Sequence, residues 1–142
     1  MIKDIEKAKS ILNTNAYTCV LCKNETVFTS EQRGVKPLVM WLESGKDLRG
    51  FSAADKVIGR ATAFLYVLLG IKSVYANVIS KPALSVFESH NISAEYGTLA
   101  ENIINRQGDG ICPFESAVLD TTDPDTAYKK IRQKMAEMNI PI

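Results

Sequence analysis

The chain has 142 residues, 46% of them hydrophobic, with 17 Lys and Arg against 16 Asp and Glu for a formal net charge of +1. This fits one globular domain over residues 1–142 with a full core, and the absence of a basic block argues against a surface built for nucleic acid. The longest apolar run, "ATAFLYVLLGI", is too short to span a bilayer, and three cysteines behind a charged N-terminus point to reduced thiols in a cytoplasm.

In chain order, "IEKAKSILN" places Ile5, Ala8, Ile11 and Leu12 on one helical face. "AYTCVLCKNETVFTS" reads as a hairpin turning at Lys23, Asn24 and Glu25. "GVKPLVMWLESG" reads as a helix with Pro37 in its first turn and Gly45 as its stop. A polar loop, "KDLRGFSA", is expected next, then a long helix over "ADKVIGRATAFLYVLLG" ending at Gly70. "KSVYANVIS" is a β-branched strand. "SKPALSVFESHN" is a helix capped by Ser80, with Pro82 in its first turn. "ISAEY" suits a short strand and "TLAENIINR" a helix. After "QGDGIC" come two helical stretches, "PFESAVLD" and, from Asp123–Pro124, "PDTAYKKIRQKMAEM". The alternation of strands and helices predicts one α/β domain with a sheet between helices.

Three helix starts carry residues suited to chemistry. If a helix begins near Asp55, Lys56 and Arg60 stand one turn apart at its N-terminus, where cations oppose the helix dipole. Either both reach water or an acidic partner, or a bound anion compensates them. Ser80-Lys81-Pro82 repeats the arrangement at the end of a strand, where ligands gather in open α/β sheets, although a plain capped turn with a solvated lysine gives the same letters. Cys112 follows a Gly-Asp-Gly loop and precedes Pro113. A helix start and nearby cations would lower its pKa, while Glu115, three residues on, suits either a capping box or an acid or base beside the thiol. The single histidine, His90, has no local partner and reads as a surface residue. Cys19 and Cys22 match C-x-x-C in letters only, because residues three apart in a strand face opposite ways, so neither metal nor cofactor is expected.

"DKVIGRATAFLYVLLG", "SKPA" and "NRQGDGICPFE", in that order, resemble the successive motifs of a small prokaryotic family of unknown function with a cytidine-deaminase-like fold. The resemblance runs from about Tyr17 to the last helix and implies a three-layer α/β/α sandwich. Deaminases of that fold place H-x-E or C-x-E at one helix start and P-C-x-x-C at the next. Here the first start carries Asp55, Lys56, Gly59 and Arg60, and the second reads Ser80-Lys81-Pro82-Ala83-Leu84-Ser85. The zinc ligands and the catalytic glutamate are missing, so zinc-dependent deamination is not expected. What the resemblance leaves is a metal-free pocket for a small anionic, nucleotide-like ligand. Its expected contacts are Asp55, Lys56, Arg60, Ser80, Lys81, Asn105 and Arg106, with Cys112 as nucleophile and Glu115 as acid or base. The alternatives are a non-catalytic ligand-binding module and a structural or interaction protein.

Overall fold

The run "CVLCKNETVFTS" folds as the expected hairpin, strands β1 (Cys19–Lys23) and β2 (Thr26–Ser30) turning through Asn24. Asn24 has φ of 55°, a left-handed conformation that asparagine tolerates in turns. The computed structural model describes residues 3–32, 34–104, 108 and 110–142. Before the hairpin lies helix α1 (Asp4–Thr14), and after it come α2 (Lys36–Ser44), β3 (Ser52–Ile58), α3 (Arg60–Leu69), β4 (Ser73–Ser80), α4 (Lys81–Ser89), β5 (Ser93–Ala100), α5 (Pro113–Ala117) and α6 (Pro124–Glu137). The end signals act as expected: Gly45 and Gly70 close α2 and α3 with left-handed backbones, and the Ser80 side chain caps α4; Asp123, where the last helix was expected to begin, also caps α6 with its side chain.

One five-stranded sheet has the order β2-β1-β3-β4-β5. β1 is antiparallel to both β2 and β3, whereas β3, β4 and β5 run parallel. α1 covers one face, where Ala8 and Leu12 pack on Val20, Cys22, Ala54 and Tyr75. The other face carries the larger core, shared by residues of α2, α3, α4, α5 and α6 with Cys19, Leu21, Ala53, Val74 and Ile79 of the strands. The architecture is therefore the three-layer α/β/α sandwich that the resemblance implies.

The main correction falls in the centre of the sheet. Asp55 and Lys56 do not begin a helix: they belong to β3, which pairs with β1 and β4, and the helix starts at Arg60 after Gly59. The expected one-turn spacing of Lys56 and Arg60 on one helical face is accordingly lost. The cause is burial on both faces. Ser52, Ala53, Ala54 and Asp55 are all buried, so this strand lacks the polar-apolar alternation of a half-exposed one. Its alanines and charges read as helix until α1 and α3 close over it. A second correction concerns "TLAENIINR": Thr98 to Ala100 complete β5, residues 101–104 are not helical, and Asn105 and Arg106 lie outside the described residues.

Candidate site at the starts of α3 and α4

β3 ends at Ile58, and Gly59 turns the chain into α3 with an extended backbone (φ −100°, ψ −179°). Gly59, the N-cap, has no side chain with which to cap the helix, yet the start of α3 is not open. The Glu115 carboxylate reaches across from α5, and its Oε1 accepts the Ala61 amide at 3.0 Å. Glu115 is 5% exposed, so α3 begins against a buried anion supplied by the chain itself. Contact is close enough that a Cβ built on Gly59 would stand 2.4 Å from Glu115 Oε1.

Arg60 is half-buried and turned inward. Its Nε donates to the Val118 carbonyl at 3.2 Å and Nη1 to that of Pro82 at 3.4 Å, while Nη2 donates to Thr121. The guanidinium also lies over the Phe64 ring, 5.1 Å from its centre. Val118 and Thr121 follow α5, and Pro82 is in the first turn of α4. One cation thus ties together the starts of α3 and α4 and the segment after α5. These three carbonyls accept the hydrogen bonds of the charged guanidinium.

At the second start, Ser80 is buried and its Oγ accepts the Ala83 amide at 3.2 Å. Lys81 is exposed and pairs with Glu101. Lys56 is exposed on β3 and enters no ion pair among the described residues. Cys112 is the N-cap of α5 and its side chain makes no capping bond. Its amide donates to the Ile103 carbonyl at 2.9 Å, and the half-buried thiol packs against the main core. The structure therefore brings Arg60, Glu115, Ser80 and Pro82 into one junction. Lys56 and Lys81 stay on the surface. His90, read as a surface residue, is half-buried at the end of α4, with Nδ1 2.9 Å from the Val86 carbonyl oxygen.

Cys19 and Cys22 face opposite sides of the sheet, one in each core, as the strand period requires. Among the described residues no group of three His, Cys, Asp or Glu side chains could hold a metal ion. Two surface cavities, of about 320 Å³ beside Leu48 and Arg49 and about 190 Å³ beside Ala117 and Lys130, are lined by none of Lys56, Arg60, Ser80, Lys81 and Cys112.

Beneath α3 lies a buried polar chain that forms no part of the sequence-predicted site. The Tyr66 hydroxyl donates to Asp55 Oδ2 at 2.7 Å and lies 3.0 Å from Cys19 Sγ. Burial pushes the Asp55 pKa up to about 7, against the lowering effect of the Tyr66 hydroxyl and the Val57 and Lys56 amides. Burial also pushes the Cys19 and Tyr66 pKa values up. Asp55, expected to contact ligand, is instead bonded within the protein. A signal for this chain was available: a tyrosine inside an otherwise apolar buried helix needs a partner for its hydroxyl.

The model of a domain of unknown function, DUF1893, matches residues 7–135. The chain belongs to the DUF1893 family. A DUF1893 family protein from Thermotoga maritima, solved as a crystal structure, is similar over 94% of this chain and 92% of that one, at 27% identity and a TM-score of 0.85. Two deaminases align more distantly. The apo dCMP deaminase from the cyanophage S-TIM5 gives 13% identity and a TM-score of 0.45 over 66% of this chain and 93% of that one. The diaminohydroxyphosphoribosylaminopyrimidine deaminase/5-amino-6-(5-phosphoribosylamino)uracil reductase from Thermotoga maritima gives 14% and 0.45, over 82% of this chain and 40% of that one. No curated protein matches the chain in sequence. No helix among the described residues is long and apolar enough to cross a membrane.

Proposed function

We propose that this DUF1893 member is a metal-free module that binds a small anionic ligand, of the phosphate or nucleotide class, at the start of α3 by displacing the Glu115 carboxylate. The observation that carries the reading is the hydrogen bond from the Ala61 amide to Glu115 Oε1. A helix start that already holds a carboxylate has the donors and dipole for another anion. Arg60 stands beside it, with Lys81 on the neighbouring helix start and Lys56 on the strand that leads in. Asn105 and Arg106 belong to the segment just before α5 and are further candidate contacts.

This reading is non-catalytic. Cys112 and Glu115 were expected to work as nucleophile and acid or base, but the Glu115 carboxylate is engaged by a backbone amide. Thermal unfolding of the wild type and of Glu115→Ala, with inorganic phosphate or a nucleoside monophosphate, tests the proposal. The variant should melt lower in phosphate-free buffer and be raised more by either anion than the wild type, because a vacated amide binds the anion without competition. If neither anion moves the melting temperature of either protein, the anion site is refuted and Glu115 is a structural cap.

A further inference from the structure

Asp55, Tyr66 and Cys19 join three elements that meet nowhere else through side-chain hydrogen bonds among the described residues. Asp55 is on the central strand β3, Cys19 is its register partner on β1, and Tyr66 is in the second turn of α3. All three side chains are at least nine-tenths buried. We propose that this chain of three groups is a proton-binding latch: it holds β1, β3 and α3 together while Asp55 carries a proton, and the junction weakens when that proton leaves.

The chemistry is one acid dissociation. The O–H bond of the Asp55 carboxyl breaks, the electron pair stays on the carboxylate, and the proton goes to water. The hydrogen bonds survive by reversing direction. With Asp55 neutral, its hydroxyl donates to Tyr66 Oη and the Tyr66 hydroxyl to Cys19 Sγ. With Asp55 ionised, the Cys19 thiol donates to Tyr66 and Tyr66 to the carboxylate. What differs between the two states is a charge without a cation to face. Cys19 on β1 and Tyr66 on α3 are the titratable groups against it, and the β4 neighbour in register is Ala76. Lys56 is exposed to solvent, and Arg60 is turned to the carbonyls of Pro82, Val118 and Thr121. α1 packs on the opposite face, where Lys7 donates to the Asn24 carbonyl and Lys9 lies over the Tyr75 ring. None of the ion pairs among the described residues includes Asp55. The Tyr66 hydroxyl and the Val57 and Lys56 amides donate to the carboxylate, but burial without a cation outweighs them, so the proton stays on to a higher pH than in the unfolded chain.

The sign follows from linkage. The folded pKa, about 7, lies above the unfolded value, so the folded chain binds more protons between the two. The stabilisation is complete below the unfolded pKa, roughly 4, and is lost as the pH rises through the folded one. Two measurements test the latch, and neither depends on the ligand proposed above. Carboxyl-carbon NMR of the wild type should show one aspartate titrating near neutral pH, and Tyr66→Phe should move that midpoint higher, because the hydroxyl that favours the carboxylate is gone. Second, the melting temperature of the wild type should fall between about pH 5 and about pH 8.5, and Asp55→Asn should remove at least half of that fall. An Asp55 midpoint in the ordinary carboxylate range overturns the proposal even if Asp55→Asn does not fold. An unchanged pH slope in a folded Asp55→Asn protein overturns it as well.

Discussion

Gly59 is a position where the absence of a side chain decides the structure. Its backbone is extended, so any residue could adopt its angles; the constraint is the Glu115 carboxylate against its Cα. A methyl group there would meet Oε1 at 2.4 Å and Cδ at 2.6 Å. A flexible carboxylate would ordinarily swing away, but this one is buried and tied to the Ala61 amide, so relief means breaking that bond. Gly59→Ala should therefore destabilise the fold by about 1–3 kcal/mol, the range for overpacking. The cost should shrink in Gly59→Ala combined with Glu115→Ala, where the clash has no partner. Chemical denaturation of the two single variants and the double variant gives the coupling directly. Additive losses would mean that Glu115 moves aside freely and does not hold the start of α3.

At the scale of elements, Arg60 shows what local pattern leaves out, because neither the start of its helix nor its partners can be read from neighbouring residues. The glycine stops, the Ser80 and Asp123 caps, the hairpin turn and the amphipathic face of α1 are local patterns, and the chain follows them. β3 was hidden because its side chains are sorted by two layers, α1 and α3, far away in sequence. With the helix start misplaced, Lys56 and Arg60 looked like a matched pair awaiting an anion. In the fold, Arg60 alone is drawn inward by carbonyls up to 61 residues distant, and nothing in the local sequence announces them. The same is true of Glu115, whose three-residue spacing from Cys112 suggested a capping box. Its partner is instead the amide of Ala61, 54 residues earlier. Arg60→Ala should cost about 2 kcal/mol, since hydrogen bonds from a charged donor contribute about 1.5–3 kcal/mol each, reduced here by partial exposure. Arg60→Lys should recover less than half, because one ammonium cannot span three carbonyls with the guanidinium's fixed fork. Equilibrium unfolding of both variants decides it, and a wild-type midpoint in Arg60→Ala would leave the guanidinium without a structural role.

Across the whole molecule, the sheet separates two cores of unequal size, and the three thiols sample both. Cys19 belongs to the large core beneath α2–α6, Cys22 to the small one beneath α1, and Cys112 is half-buried outside the sheet. The small core rests on six buried residues, and α1 begins without a side-chain cap at Lys3. An element with few buried apolar contacts opens at lower free energy than the domain unfolds. Burial also raises both strand thiols, Cys19 well above the ordinary value, and so suppresses their reactive thiolates. Alkylation should accordingly proceed in three steps. Cys112 should react first in the native protein, Cys22 next as α1 lifts, and Cys19 last, at the rate of global unfolding. Quenched labelling with peptide mass analysis across a denaturant series separates these steps, because sub-global opening depends on denaturant less steeply than complete unfolding. If Cys22 and Cys19 label together at every denaturant concentration, α1 and the sheet open as one unit. If either labels before Cys112, the thiol at the start of α5 is less accessible than its place at the edge of the main core implies.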